Sequence, residues 1–378
     1  MASSQRISSL DGIRGWAALV VVTYHCSLIA MPHLDGTLAA WLTQSPSKLA
    51  FAGTEAVLVF FVLSGFVVAL PVLRDGFSWT RYYPTRVLRL YLPVWGSVVL
   101  ATALIALLPR DAATMPEDSW MQNTQATRVT WGTFFDEALL LTKSYDINNV
   151  LWSLRWELIF SLALPVFVGL ALLLRRHAMI AAAVACALTV VGRIVDVEAL
   201  VYLPVFMLGT LMAVRLDDLL AWVQRPRRRA FWPCLTALAL ALLIASWLAR
   251  PVAAPGTVLG RTMWGLAGVG AVLVIVAAMG WPRLRHLLEG RVSQWLGRTS
   301  YSLYLVHVPL LGTLAYLWGS DRWAMVAVVG IPASLLLAAA FHRFLEAPAH
   351  RLARYVGTVA SERLPLTRPN GRIRRSDA

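Results

Sequence analysis

Charge is what this chain has least of. Only 14% of its 378 residues are Asp, Glu, Lys or Arg, against about 25% in an ordinary soluble domain. That excludes a water-soluble globule. Cysteine is scarce too. Cys26, Cys186 and Cys234 lie in or beside apolar runs at unrelated spacings, which fits neither a metal-ligand pattern nor a disulfide framework. They read as small buried apolar residues. The period-two alternation of a membrane barrel is missing, as are an internal repeat and a Gly-x-Ser-x-Gly elbow.

What the chain has instead is apolar length. Hydrophobic residues make up 58% of it, and the mean hydropathy is +0.64. They fall into runs of about 20 residues, enough at 1.5 Å per residue to cross about 30 Å of hydrocarbon. Such runs lie near 13–31, 55–73, 90–108, 150–174, 178–195, 199–214, 231–249, 262–280, 299–318 and 323–342. The predicted fold is an all-α polytopic membrane protein with about ten transmembrane helices. The first run is too long, and its end too poor in small residues, for a cleaved signal peptide. It reads as a true span.

The net charge of +14 could suggest nucleic acid, but its placement argues otherwise. Arginines crowd alternate connecting segments: Arg81, Arg86 and Arg89, then Arg225 to Arg229, then Arg283, Arg285 and Arg291. The intervening segments hold few. This bias places both termini in the cytoplasm of a multi-pass cell-membrane protein. The basic charge is a topology signal with some attraction to anionic lipid, and no nucleic-acid partner is expected. Residues 1–350 form the membrane-embedded domain. Residues 351–378 read as a basic cytoplasmic tail without fixed structure.

Ionisable side chains inside hydrocarbon cost a few kcal/mol, so each is a site candidate. In Ser8 to Ala30, Arg14 stands at the mouth of the first span and His25 lies eleven residues on. That spacing returns to nearly the same helix face roughly 16 Å further along the axis. Arg86 and Arg89 share one helix face, where two guanidiniums can grip phosphate through paired N–H donors. Arg155 and Glu157 enter the fourth run together but point about 200° apart, so each needs a partner on another helix or a polar cavity. His307 follows Tyr301 and Tyr304 in the ninth run, and His342 and Glu346 lie four apart at the end of the tenth. Ser64 and Gly65 form a small pair at mid-depth, suited to close helix packing more than to a nucleophile. Residues 109–149, with Trp120 and Trp131, are the longest outer segment and the candidate acceptor side.

Taken in order, these stretches resemble the acyltransferase-3 family of integral membrane O-acyltransferases over about residues 6 to 350. LDGIRGWAALVVVTYH is similar to its opening, with Arg14 and His25 as the Arg-x10-His pair. FFVLSGFVV, with Ser64, resembles its second-span signature, and RVLRLYLP its Arg-x-x-Arg segment, Arg86 and Arg89. LWSLRWELIF supplies Trp152, Ser153 and Glu157, SYSLYLVHVP supplies Tyr301, Tyr304 and His307, and FHRFLEAP supplies Glu346 and Pro348. Arg155 and Trp156 depart from the small or acidic residues that many relatives carry there. No esterase-like domain of the kind some relatives append is recognised, so transfer is expected to finish in the membrane domain or its loops.

The resemblance implies acyl transfer from cytoplasmic acyl-CoA, a donor substrate in place of any permanently bound cofactor, to a hydroxyl. The acceptors it implies are surface glycans, glycolipids or glycosylated products. Imidazole is the usual base for such a proton near neutral pH. His25 is therefore expected to deprotonate the acceptor, with an acyl-imidazole on His25 as the other route. Arg14 would orient the donor or polarise its thioester carbonyl, Arg86 and Arg89 would hold its phosphates, and Glu157 would orient His25 or Arg14. The alternative is a proton-coupled transporter, which buried Arg, Glu and His would also suit.

Overall fold

The computed structural model describes residues 7–142 and 145–363, and among them all regular structure is helical. The chain begins with α1, Ser8–Ala30, α2, Gly53–Ala69, and α3, Trp79–Leu107. Two short helices, α4, Trp120–Thr124, and α5, Trp131–Ala138, follow in the long connecting segment. Next come α6, Leu151–Leu162, α7, Leu164–Leu173, α8, Ala178–Val195, and α9, Glu198–Val214. The second half holds α10, Leu216–Val223, α11, Phe231–Leu243, α12, Val258–Gly280, and α13, Pro282–Glu289. It closes with α14, Arg291–Trp318, α15, Trp323–Phe341, and α16, Ala347–Arg363.

Among the described residues, six continuous helical runs are long and apolar enough to cross a membrane, and up to eight if each bent pair counts as one span. The pairs are α6 with α7, bent by 63°, and α9 with α10, bent by 76°. The run near 150–174 is thus two helices. Pro165, in the first turn of α7, lacks an N–H for the preceding ladder. The runs near 55–73 and 231–249 are shorter than the sequence suggests, since α2 stops at Ala69, just before Pro71, and α11 stops at Leu243. Leu173, Met179, Val328 and Leu336 are each more than 70% exposed. Apolar surface of this extent belongs in lipid.

Two glycine crossings set the frame. A Cβ on Gly15 would strike the backbone of Gly297, and one on Gly297 would strike the Asp11 carbonyl, so α1 and α14 run backbone against backbone. Likewise, a Cβ on Gly65 would meet the Phe206 carbonyl and one on Gly209 the Val62 carbonyl, locking α2 to α9. Stacked rings extend that second crossing, Phe61 on Phe206 at 4.4 Å and Phe206 on Phe160 at 4.5 Å.

The chain past Arg351 corrects the expected tail. Helix α16 continues to Arg363 and packs along α3, with Ala349, Ala353 and Gly357 buried at every fourth position. That small-residue stripe, hidden in a polar composition, lets Gly357 sit against Thr85. Residues 364–378 of the expected tail lie outside the described residues.

Candidate active site

Inner and outer denote below the arginine-rich face of the bundle and the face opposite it. A cavity of about 730 Å³ opens on the inner side and is lined by Arg14, Ser64, Arg89, Ser153, Glu157 and Tyr304, among others. Phe60, Phe61 and Leu63 supply an apolar wall. Helix α6 forms one side of it. Ser153 and Glu157, four residues apart, face this cavity, whereas Trp152, Arg155 and Trp156 line a second, outer one. The divergence expected of Arg155 and Glu157 is therefore realised as two cavities on opposite faces of one helix.

Glu157 takes a different partner from the one expected. Its Oε1 accepts from Arg86 Nη2 at 2.6 Å and from Ser64 Oγ at 3.2 Å, and it makes no hydrogen bond or ion pair with His25 or Arg14. The reason is register: Arg86 on α3 and Glu157 on α6 meet at one depth, with Ser161 holding the Arg86 Nε at 2.9 Å. Arg86 also lines the cavity but is committed to a carboxylate and two hydroxyls, those of Ser161 and, at 3.4 Å, Ser64. Arg89, one turn deeper on α3, exposes its side chain where it lines the cavity and has no ion pair with a described residue. Arg14 shares the cavity with it.

His25 does not line this cavity. It lies deeper, 5% exposed, against His307, which is fully buried. Gly15 with Gly297 and His25 with His307 share one offset of 282 residues, so the glycine crossing fixes the histidine pairing in two parallel helices. Each ring places its Nδ1 2.8 Å from the carbonyl four residues earlier, Val21 for His25 and Leu303 for His307. A carbonyl only accepts, so both Nδ1 atoms carry hydrogen. His307 Nε2 is then a lone pair, 3.1 Å from His25 Nδ1 and able to share its hydrogen. The network thereby assigns the tautomer of His25: its Nε2 is unprotonated.

Tyr304 connects the two levels. It lines the inner cavity, bonds Ser153 Oγ at 2.7 Å, and stands three residues before His307 with ring centroids 6.0 Å apart. Trp152 packs instead against Tyr202 at 5.2 Å. Sequence reasoning did not single out the contact of Trp120, on α4, with His25 at a centroid distance of 5.2 Å. It also missed Glu137, outside the spans, whose buried carboxylate accepts the N–H groups of Asp146, Ile147 and Asn148 at 2.7, 2.7 and 3.0 Å. Asn148 in turn donates to the Leu305 carbonyl at 2.9 Å and thereby ties the long segment to α14. At the inner end, Glu346 in a π-helical turn meets Ser302 at 2.5 Å and His342 at 3.0 Å. An acidic residue beside an apolar stretch was the available signal for Glu137, as it was for Glu346, which the sequence did single out.

A profile of the acyltransferase domain family, acyltransferase-3, matches residues 7–343, and the chain belongs to that family. It is a membrane acyltransferase, so the transporter alternative gives way. The chain is 26% identical to acyltransferase MdmB of Streptomyces mycarofaciens, over 96% of each chain. It is 24% identical to O-acetyltransferase PaAT-1 of Phomopsis amygdali, over 84% of this chain and 75% of that one. It is 23% identical to glucans biosynthesis protein C of Salmonella paratyphi A, over 80% of this chain and 81% of the relative. No solved structure matches the chain.

Proposed function

We propose that the protein transfers an acyl group, acetyl in the simplest case, from cytoplasmic acyl-CoA to a hydroxyl of a carbohydrate-containing acceptor at the cell membrane. The observation that carries this reading is the vertical order of the site. A basic cavity open on the arginine-rich side ends at Tyr304 and Ser153, and the paired histidines lie one helical turn beyond. An O-acetyltransferase and a glucan biosynthesis protein among the relatives support the acetyl donor and the carbohydrate acceptor.

Arg14 and Arg89 supply guanidiniums for the donor phosphates, with Arg86 held back by Glu157 as a brace between α3 and α6. The aromatic and aliphatic wall suits the donor's uncharged arm. His25 Nε2 takes the acceptor's hydroxyl proton as its oxygen attacks the thioester carbonyl carbon. A C–O bond forms, the C–S bond breaks, and the proton passes from His25 to the leaving thiolate. The Tyr304 hydroxyl gives its hydrogen to Ser153 Oγ, since Ser153 gives its own to the Val150 carbonyl, and turns that hydrogen to the thioester carbonyl oxygen as charge develops there.

The test compares two strains carrying the wild-type protein or His25→Ala at equal membrane levels. Mass spectrometry of envelope glycans, lipids and secreted products is expected to show an alkali-labile acyl group lost only in the variant. No difference in any fraction, with both proteins expressed, would overturn the reading.

A further inference from the structure

The outer cavity, about 420 Å³, falls within the roughly 300–1,000 Å³ of small-ligand pockets. One wall is aromatic. Tyr202 packs between Trp152 and Trp156, at ring-centroid distances of 5.2 and 5.6 Å, and Arg155 lies over the Trp156 ring at 5.7 Å. The remaining lining is polar and of both kinds, with Asn123 and Asn149 able to donate and accept and Glu198 able to accept. Tyr145 also lines this cavity. It is 2% exposed, and its hydroxyl has no hydrogen-bond partner among the described residues. A buried phenol left without a partner costs free energy unless a ligand or water completes it.

The cavity is also joined to the histidines. Helix α4 carries Trp120 against His25 at one end and lines the cavity with Asn123 and Thr124 at the other. Helix α6 separates it from the inner cavity, presenting Trp152 and Trp156 to one side and Ser153 and Glu157 to the other.

From this geometry we infer that the outer cavity is the acceptor subsite and that its ligand is a sugar ring. Apolar C–H faces of a pyranose fit the aromatic wall, and its ring of hydroxyls, each both donor and acceptor, fits the mixed polar lining and the free Tyr145 hydroxyl. A simple aliphatic alcohol would leave those polar groups unmatched, and an anionic ligand would meet two carboxylates, Asp146 and Glu198, against the single guanidinium of Arg155. The inference rests on the carbohydrate-acylation reading above and gives it a place: donor and acceptor enter from opposite faces of α6.

The test uses the full-length protein in detergent, with diazirine-bearing methyl glycosides of glucose, galactose, mannose and N-acetylglucosamine as photolabels. Labelling is expected in peptides containing Tyr145 to Trp156 or Glu198 to Tyr202, competed by the unmodified glycoside. Tyr145→Phe and Asn123→Ala, each removing one polar group, are expected to weaken labelling roughly threefold to tenfold. With labelled acetyl-CoA, the same variants are expected to raise the acceptor KM by a similar factor and leave the donor KM unchanged. Labelling elsewhere, no labelling, or variants identical to wild type would overturn the subsite. If the label maps to this cavity but acetyl reaches no glycoside, the sugar site stands, and its acceptor role falls with the acylation reading. If acetyl is transferred while the label misses the cavity, the subsite fails and the acylation reading stands.

Discussion

His25 and His307 meet nitrogen to nitrogen, Nδ1 to Nε2 at 3.1 Å, while each gives its Nδ1 hydrogen to a carbonyl of its own helix. The pair works as an orientation lock. His307 contributes a lone pair to a hydrogen that His25 already owes to Val21, which keeps the opposite edge of His25 basic.

Removing the base and removing its lock are therefore expected to differ. His25→Ala should lower transfer by about 10²–10⁴-fold or more, without loss of folded protein. His307→Phe should lower kcat and leave the donor KM unchanged. His307→Gln, whose amide oxygen can accept from His25 Nδ1–H, should recover part of that loss. Steady-state kinetics on the three variants check this, and equal losses in the two His307 variants would remove the lock from the mechanism.

The two arginines of the Arg-x-x-Arg segment are expected to separate by readout. Arg89→Ala should raise the acetyl-CoA KM roughly tenfold or more, the scale of a lost charge-assisted hydrogen bond, with acceptor saturation unchanged. Arg86→Ala should chiefly destabilise the fold, because it leaves Glu157 without its cation. A double-mutant cycle of Arg86→Gln with Glu157→Gln, read by thermal unfolding, should give a coupling of about 1–3 kcal/mol.

Gly209→Val tests the α2–α9 crossing. The side chain would enter the Val62 carbonyl, and backbone cannot yield as a flexible side chain does. The variant is expected to aggregate on detergent extraction, whereas Gly169→Val, whose Cβ has open space, should run as a single species on size exclusion.

Glu137 gives a pH dependence. Burial raises its pKa from 4.5 to about 7, against three backbone N–H bonds that pull it down. Between those values the folded protein keeps a proton that the unfolded chain releases, so this residue's contribution to stability falls as pH rises from 4.5 to about 7. Thermal unfolding across that window should show the slope in the wild type and lose it in Glu137→Gln.

Much of the architecture was written in one dimension. Apolar runs of spanning length, broken by arginines, fix a helical membrane protein because hydrocarbon demands that every backbone group bond within its own helix. The cost of burying Arg14, His25, Glu157 and His307 marked them before any contact was known. The 200° divergence of Arg155 and Glu157 was also legible, being a property of a single helix.

Which partner each would find was not legible. Periodicity fixes the face a side chain occupies on its own helix, but it carries no information about the depth at which two helices cross. That depth was decided by the Gly15–Gly297 contact, which brings together two histidines 282 residues apart, and by the meeting of α3 and α6, which gives Glu157 to Arg86 in place of His25. The sequence alone determined the solvent, the helices and the costly residues. Their pairing was left to the tertiary fold, because backbone contact at glycine sets register between helices and hydropathy does not.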